Sequence, residues 1–494
     1  MSAPRDQHRG VVLAIILTGY LLVLIDVSIL MVALPRIHHD LRFSAAGLSW
    51  AQNAYTLTFG GLLLLGARVG DLIGRRRAFT AGIALFAASS LAVALAQSPT
   101  AMIIARATQG IGAATLAPST LALLSTSFPE GHQRTRAMAA YGALAGIATS
   151  IGMIIGGILT QTLSWRVGFL LNVPIGVAAI LAAPRFLPET PPHPGRLDLG
   201  GAVSSTLGVS AIVFGVVHSA AAGWTDPVTL IALAAGLGLV ALFVANQTNA
   251  PQALMPLRLF ANRERAGAYL ARFLFNGALL SFYFFMSQYL QGVTGDTPLQ
   301  AGLAFLPATV AAFAAATATS RLIRRTSNAL MSVAGCAAML IGTAWISRVS
   351  ADTSYLTGIA LPMIIFGIGQ GLGLSTLTTG GMSSVAREDA GVAGGLVNVA
   401  HHTGGALGLG ILVTIFATAG TGAHTPHALL AARVSTALTG AAIFVVLALI
   451  VTLITHPRAA RTSPARADPE PRRAAAQDPA HPRAEALTET RAAA

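Results

Sequence analysis

The sequence predicts an all-α polytopic membrane protein with fourteen transmembrane helices. Two observations carry this reading. Of its 494 residues, 54% are hydrophobic and only 10% charged, against about 25% charged in an ordinary soluble domain. The apolar stretches also recur from about residue 11 to about residue 455 rather than forming one or two anchors. The bilayer is therefore the solvent for nearly the whole chain.

A hydrocarbon core of about 30 Å takes about 20 helical residues to cross, and a helix satisfies its own backbone polar groups in lipid. Runs of that length, bounded by charge or by Pro and Gly, fall at 11–34, 47–67, 78–97, 101–123, 137–160, 166–187, 198–219, 228–246, 268–290, 301–320, 329–347, 356–378, 391–417 and 433–455. The first follows Arg5 and Arg9 as a signal peptide would, yet it contains Asp26 and leads straight into further runs, which marks a retained helix. Arg68, Arg75, Arg76 and Arg77 part the second run from the third, and Arg134 and Arg136 part the fourth from the fifth. Arg166 opens the sixth, and Arg185 and Arg196 separate it from the seventh. Arg258, Arg263 and Arg265 precede the ninth, Arg321, Arg324 and Arg325 follow the tenth, Arg348 closes the eleventh, and Arg433 opens the fourteenth.

Cytoplasmic loops carry the excess of basic residues. With an even number of spans and both termini inside, 24 of the 31 arginines are cytoplasmic and five, Arg36, Arg42, Arg166, Arg348 and Arg433, are outside. Arg106 and Arg272 remain within spans. The domain expectation follows: a cytoplasmic N-terminus at 1–10, a six-helix bundle at 11–187, two inserted helices at 198–246, a second six-helix bundle at 268–455 and a disordered cytoplasmic tail at 456–494. Two six-helix bundles are suggested by a repeat. Gln109-Gly110-Ile-Gly112 lies in the fourth span and Gln370-Gly371-Leu-Gly373 in the twelfth, and triple-arginine loops follow the second and tenth. Matching spans one to six with nine to fourteen brings both coincidences into register.

Absences narrow the chemistry. Every basic residue is arginine, so no lysine serves a P-loop or a Schiff base. The single Cys336 permits no intramolecular disulfide or cysteine metal cluster. The net charge of +13 sits in short loops without base-stacking aromatics, which argues against nucleic acid. No His-Glu-x-x-His or Gly-x-Ser-x-Gly motif supports catalysis. ATP-driven pumping by this chain alone is therefore not expected.

Asp26 is the one acid deep inside a span, where a lone carboxylate costs at least about 2.5 kcal/mol. Arg106 in the fourth span is its natural partner. The pair is read either as a proton-coupling site or as a fixed lock between helices. In the fifth span Gly142, Gly146, Gly152, Gly156 and Gly157 allow close helix approach. Tyr55, Gln109, Asn276 and Asn398 are candidate cavity lining. His401 and His402, adjacent on the thirteenth span, point about 100° apart and cannot share one metal as an i, i+4 pair would. Arg272 is read as snorkelling to the interface.

The order Gly66-x-x-x-Gly70-Asp71-x-x-Gly74-Arg75-Arg76-Arg77 resembles the loop motif of the major facilitator superfamily. Arg106 to Gly112 resembles its fourth-helix motif, and Gly142 to Gly157 its fifth-helix antiporter motif. Together with Asp26-x-x-Ile29-x-x-x-Ala33-Leu34-Pro35, Trp165-Arg166-x-x-Phe169-x-x-Asn172-x-Pro174 and Tyr289-Leu290-Gln291, the chain is similar to 14-span drug:proton antiporters of the EmrB/QacA type. The resemblance implies export of a hydrophobic or amphipathic small molecule from a bacterial cytoplasm in exchange for protons, by a monomer that needs no cofactor because the proton gradient drives it. It further implies proton coupling at Asp26 with Arg106, a latch of Gly66, Gly70, Asp71, Gly74 and Arg75, and an antiport role for Gly152, Gly156 and Gly157. Met153 departs from the proline usual in that motif. An uptake permease of the same superfamily shares most of these motifs and stands as the alternative.

Overall fold

The computed structural model describes residues 9–44, 46–129, 131–191, 197–249, 253–386, 389–420 and 425–455. The expected tail at 456–494 and most of the N-terminal segment lie outside the described residues. Secondary structure among the described residues is helical throughout. The first half contains α1 (Arg9–Leu41), α2 (Ser49–Ile73), α3 (Arg75–Leu95), α4 (Pro99–Ser127), α5 (His132–Thr162), α6 (Trp165–Leu170) and α7 (Asn172–Phe186). Next come α8 (Leu199–Ala222) and α9 (Pro227–Asn249). The second half contains α10 (Arg263–Gly292), α11 (Pro298–Ala304), α12 (Leu306–Ile323), α13 (Asn328–Ile346), α14 (Leu361–Gly381), α15 (Ala390–Thr418) and α16 (Pro426–Thr455).

All fourteen expected spans are present, the sixth as α6 with α7 and the tenth as α11 with α12. Proline explains the breaks, since it lacks an N–H and its ring displaces the carbonyl four residues back. Pro174 acts on Leu170, where α6 ends, and Pro307 acts on Leu303 beside the α11–α12 joint. Among the described residues thirteen spans are long and apolar enough to cross a bilayer. The remaining one, α4, is 29 residues long and carries Arg106, Gln109, Ser119 and Thr120 buried inside the bundle.

Two internal prolines set up contacts between helices. Pro118 in α4 frees the Ala114 carbonyl, and Gly66 on α2 sits where a Cβ would collide with that oxygen. Pro35 in α1 frees the Met31 carbonyl, which accepts from Ser287 Oγ of α10 at 2.5 Å. Gln291 Nε2 donates to the next carbonyl, Val32, at 2.9 Å.

The repeat shows in the packing. Gly110 and Gly112 bring α4 against α2 and α3, while Gly371 and Gly369 bring α14 against α12 and α13, and Gly373 faces Phe275 of α10. The inserted hairpin leans on the seam between the halves: α8 meets α2 where Thr206 faces Gly61, and meets α15 where Thr414 donates to the Val216 carbonyl at 2.8 Å.

Helix alternation sorts the charges onto two faces. One bears Arg75, Arg76, Arg77, Arg134, Arg258, Arg263, Arg321, Arg324 and Arg325; the other bears Arg36, Arg42, Arg166, Arg348 and Arg433. The start of α10 and the end of α16 share the arginine-rich face, where Gly267 meets Thr455.

Candidate functional site

Asp26 lies near the middle of α1 with no solvent exposure, and Arg106 on α4 is equally buried. Arg106 Nη1 donates to Asp26 Oδ2 at 2.5 Å and to Gln109 Oε1 at 2.6 Å, while its Nε donates to the Ala51 carbonyl on α2 at 2.9 Å. The second carboxylate oxygen accepts from Gln109 Nε2 at 2.7 Å and from Asn172 Nδ2 of α7 at 3.1 Å. Both amides also reach Ser90 Oγ on α3, at 2.7 and 3.3 Å. Two charges in low dielectric persist only when paired and hydrogen-bonded, and five helices supply those partners. Tyr55 covers the guanidinium with its ring 4.4 Å from Arg106 Cζ, and Phe169 approaches to 5.8 Å. Arg106 Nη2 and the Tyr55 hydroxyl are buried without a partner.

Beside this cluster lies a cavity of about 1100 Å³ between the two halves. It reaches from Met31, Met153 and Tyr283 at its inner end to Asp71, Arg75, Ser125 and Gly391, so it opens on the arginine-rich face. At the opposite face the halves are sealed. Ser287 and Gln291 hold α1, a Cβ on Gly157 would lie 2.7 Å from the Pro298 carbonyl, and one on Gly302 would lie 2.6 Å from the Met153 carbonyl. Ser150 Oγ adds a 2.7 Å bond to Thr309 Oγ1. Gly152 and Gly156 pack instead on Ser28 and Ile29 of α1, so the fifth-helix glycines serve two different faces. The helix runs unbroken through Met153, whose side chain reaches the cavity. Gly146 falls among the residues whose side-chain surroundings are outside the description.

Tyr55, Asn276 and Asn398 border the cavity. Gln109 is displaced from the expected lining, because the Asp26 carboxylate claims its amide. Asp71 and Arg75 sit at the cavity mouth, 3.7 Å apart, and Arg75 bonds the Ala122 carbonyl and Thr190, all within the first half. Gly74, at φ +97°, makes the turn that lets Arg76 and Arg77 reach Glu189, at 3.2 and 3.7 Å. Gly70 faces Ser119 with ordinary spacing.

Arg272 corrects an expectation. Rather than snorkelling, it is 8% exposed and donates from Nη1 to the Leu374 carbonyl at 2.6 Å and to Thr378 Oγ1 at 2.9 Å, on the cavity wall. His401 and His402 border the same space, their rings nearly perpendicular. Ser90 gave no sequence signal, since hydroxyls are common in apolar helices. Asn172 stood in the quoted sixth-span motif without an assigned role. Trp165 and Arg166 of that motif bind Asp40 at 2.9 Å and the Ala94 and Ala96 carbonyls at 2.8 and 2.6 Å.

The two halves differ at the matching site. Arg106 corresponds to Gly367 in the repeat, and there Phe282 stacks on Phe366 at 3.8 Å while Gln370 accepts from the Tyr283 hydroxyl at 2.9 Å. The ion pair is a property of the first half.

The Major Facilitator Superfamily profile matches residues 16–409. A cephamycin export protein of Amycolatopsis lactamdurans is 39% identical over 452 residues, covering 90% of this chain and 92% of that protein. A puromycin resistance protein of Streptomyces alboniger is 36% identical over 415 residues, covering 83% and 82%. Among solved structures, the nucleoside transporter NupG aligns with a TM-score of 0.65 at 13% identity, covering 90% of this chain and all of that one.

Proposed function

This chain belongs to the Major Facilitator Superfamily, and from that premise we propose that it exports an amphipathic antibiotic-like compound in exchange for protons. It is a multi-pass membrane transporter, not an enzyme, and its relatives named for export and resistance are bacterial. The arginine-rich face is the cytoplasmic one in a bacterial cell membrane. No cofactor is required, since the proton gradient supplies the work. The working unit is one chain, with the substrate site between its own halves.

The single observation that carries this reading is one buried acid paired with one buried base, shielded by Tyr55 from a large apolar cavity. With the cavity open to the cytoplasm, Asp26 is deprotonated and Arg106 holds its charge. Substrate enters from the cytoplasm or the inner leaflet. Opening at the outer face breaks the Ser287 and Gln291 bonds to α1, separates Gly157 from α11, and moves α1 so that water reaches Asp26. Protonation there removes the charge that Arg106 holds, the substrate leaves, and the emptied protein closes outside and releases the proton inside. The latch of Asp71 and Arg75 engages the second half only in the outward-open state. Each proton moved inward at 100 mV supplies about 2.3 kcal/mol, roughly a 50-fold concentration ratio.

The test is purified protein in liposomes under an imposed pH gradient, with a compound panel on one side. Substrate-dependent proton flux and uphill accumulation support export; flux of a nutrient in the direction of the protons establishes the uptake permease instead.

A further inference from the structure

We infer that the cavity is an anion receptor in which Arg272 seats the carboxylate, or a comparable single anionic group, of an amphipathic substrate. The inference deepens the export reading, because it takes this cavity as the substrate site.

Charge along the cavity wall leads to it. Among the described residues three charged side chains border the space: Asp71, Arg75 and Arg272. The first two neutralise each other at the mouth, 3.7 Å apart. Asp26 and Arg106 neutralise each other behind Tyr55 and do not border it. Arg272 is left as the uncompensated charge, and among the described residues it forms no ion pair. Its two acceptors, a carbonyl and a hydroxyl, fix the guanidinium without cancelling its charge, and its Nε is buried with no acceptor. A cation held inside a membrane bundle ordinarily marks a site, with its partner supplied by the protein or by what the protein binds. Here no described residue supplies one.

Position supports the same conclusion. Arg272, Asn276, Leu279, Leu280 and Tyr283 all border the cavity, a spacing that puts them on one face of α10. The charged end of this stripe lies toward the mouth and the apolar and aromatic end toward the sealed apex. Asn276 is pinned by its 2.6 Å bond to the His401 carbonyl, and His401 Nδ1 is buried without a partner. An amphiphile with one anionic group therefore lies with its head at Arg272 and its body along Leu279 and Tyr283. A guanidinium offers a carboxylate two parallel N–H donors, which a neutral ester uses poorly and a cation not at all.

The test measures equilibrium binding of naphthylacetate, its methyl ester and naphthylethylamine to the full-length protein in lipid nanodiscs, with empty nanodiscs subtracted. The acid should bind about tenfold or more tightly than either neighbour. Arg272→Gln should erase that preference by weakening the acid about tenfold while leaving the ester within about twofold, and Arg272→Lys should retain much of it. Equal or tighter binding of the amine or ester by wild type overturns the inference, as does an undiminished preference in Arg272→Gln. If that variant fails to fold, the wild-type ranking decides, with Asn276→Leu expected to weaken the acid about threefold. The exporter reading fails separately. An intact ranking without proton-driven flux defeats export and leaves the anion seat standing, whereas proton-driven flux that carries the amine as fast as the acid defeats the seat and leaves export standing.

Discussion

Ser287 donates across the molecular midline to the Met31 carbonyl, an oxygen that Pro35 has deprived of its helical donor. The bond ties the halves together at the face away from the cavity mouth, and one proline and one serine suffice to build it. A neutral hydrogen bond contributes about 1 kcal/mol, which converts to about a fivefold shift between states. Ser287→Ala should therefore raise outer-face labelling of a reporter, Ser28→Cys in a Cys336→Ser background, by about that factor. A membrane-impermeant thiol reagent applied from the outside reads the change.

Gly157 tests the same seal sterically. Its Cβ would press on Pro298 and Leu299, so Gly157→Val should hold the outer face open and abolish export while the reporter is labelled freely from outside. Gly142, which has nothing within 4 Å, is the control: Gly142→Ala should stay within about 0.5 kcal/mol of wild-type stability.

Removing one member of a buried ion pair leaves the other uncompensated, at about 3–5 kcal/mol. Arg106→Ala should lower the unfolding temperature sharply, and Asp26→Asn combined with Arg106→Gln should recover part of the loss. The buried Cys336 provides the readout, through reaction of its thiol with a fluorogenic dye as the protein unfolds.

If the substrate is an anion, every cycle is electrogenic. An anion leaving and a proton arriving both carry positive charge inward, so an inside-negative potential should accelerate export by driving at least two charges per turnover, about 4.6 kcal/mol at 100 mV. Potassium-loaded vesicles with valinomycin measure this; half that dependence, one charge per turnover, argues for a neutral cargo, and indifference to the potential for a monovalent cation.

The spans were legible because lipid demands apolar length, and that demand is written locally in the sequence. Helix breaks at Leu171 and Phe305 were not placed, although Pro174 and Pro307 stood in view, because proline inside a membrane helix kinks or breaks it according to its neighbours. Asp26 and Arg106 announced themselves as charges where charges are costly. Gln109 was misplaced because an amide carries no label for which side of a helix its partner occupies. Arg272 was misread because its depth and its acceptors on α14 depend on packing between distant segments.

The most direct measurement compares wild type and Asp26→Asn in proteoliposomes, under a pH gradient and in gradient-free exchange of the same substrate. The expected result is that Asp26→Asn retains exchange, since the cavity wall is intact, and loses uphill accumulation entirely. Uphill transport by Asp26→Asn at the wild-type level would contradict proton coupling at this carboxylate.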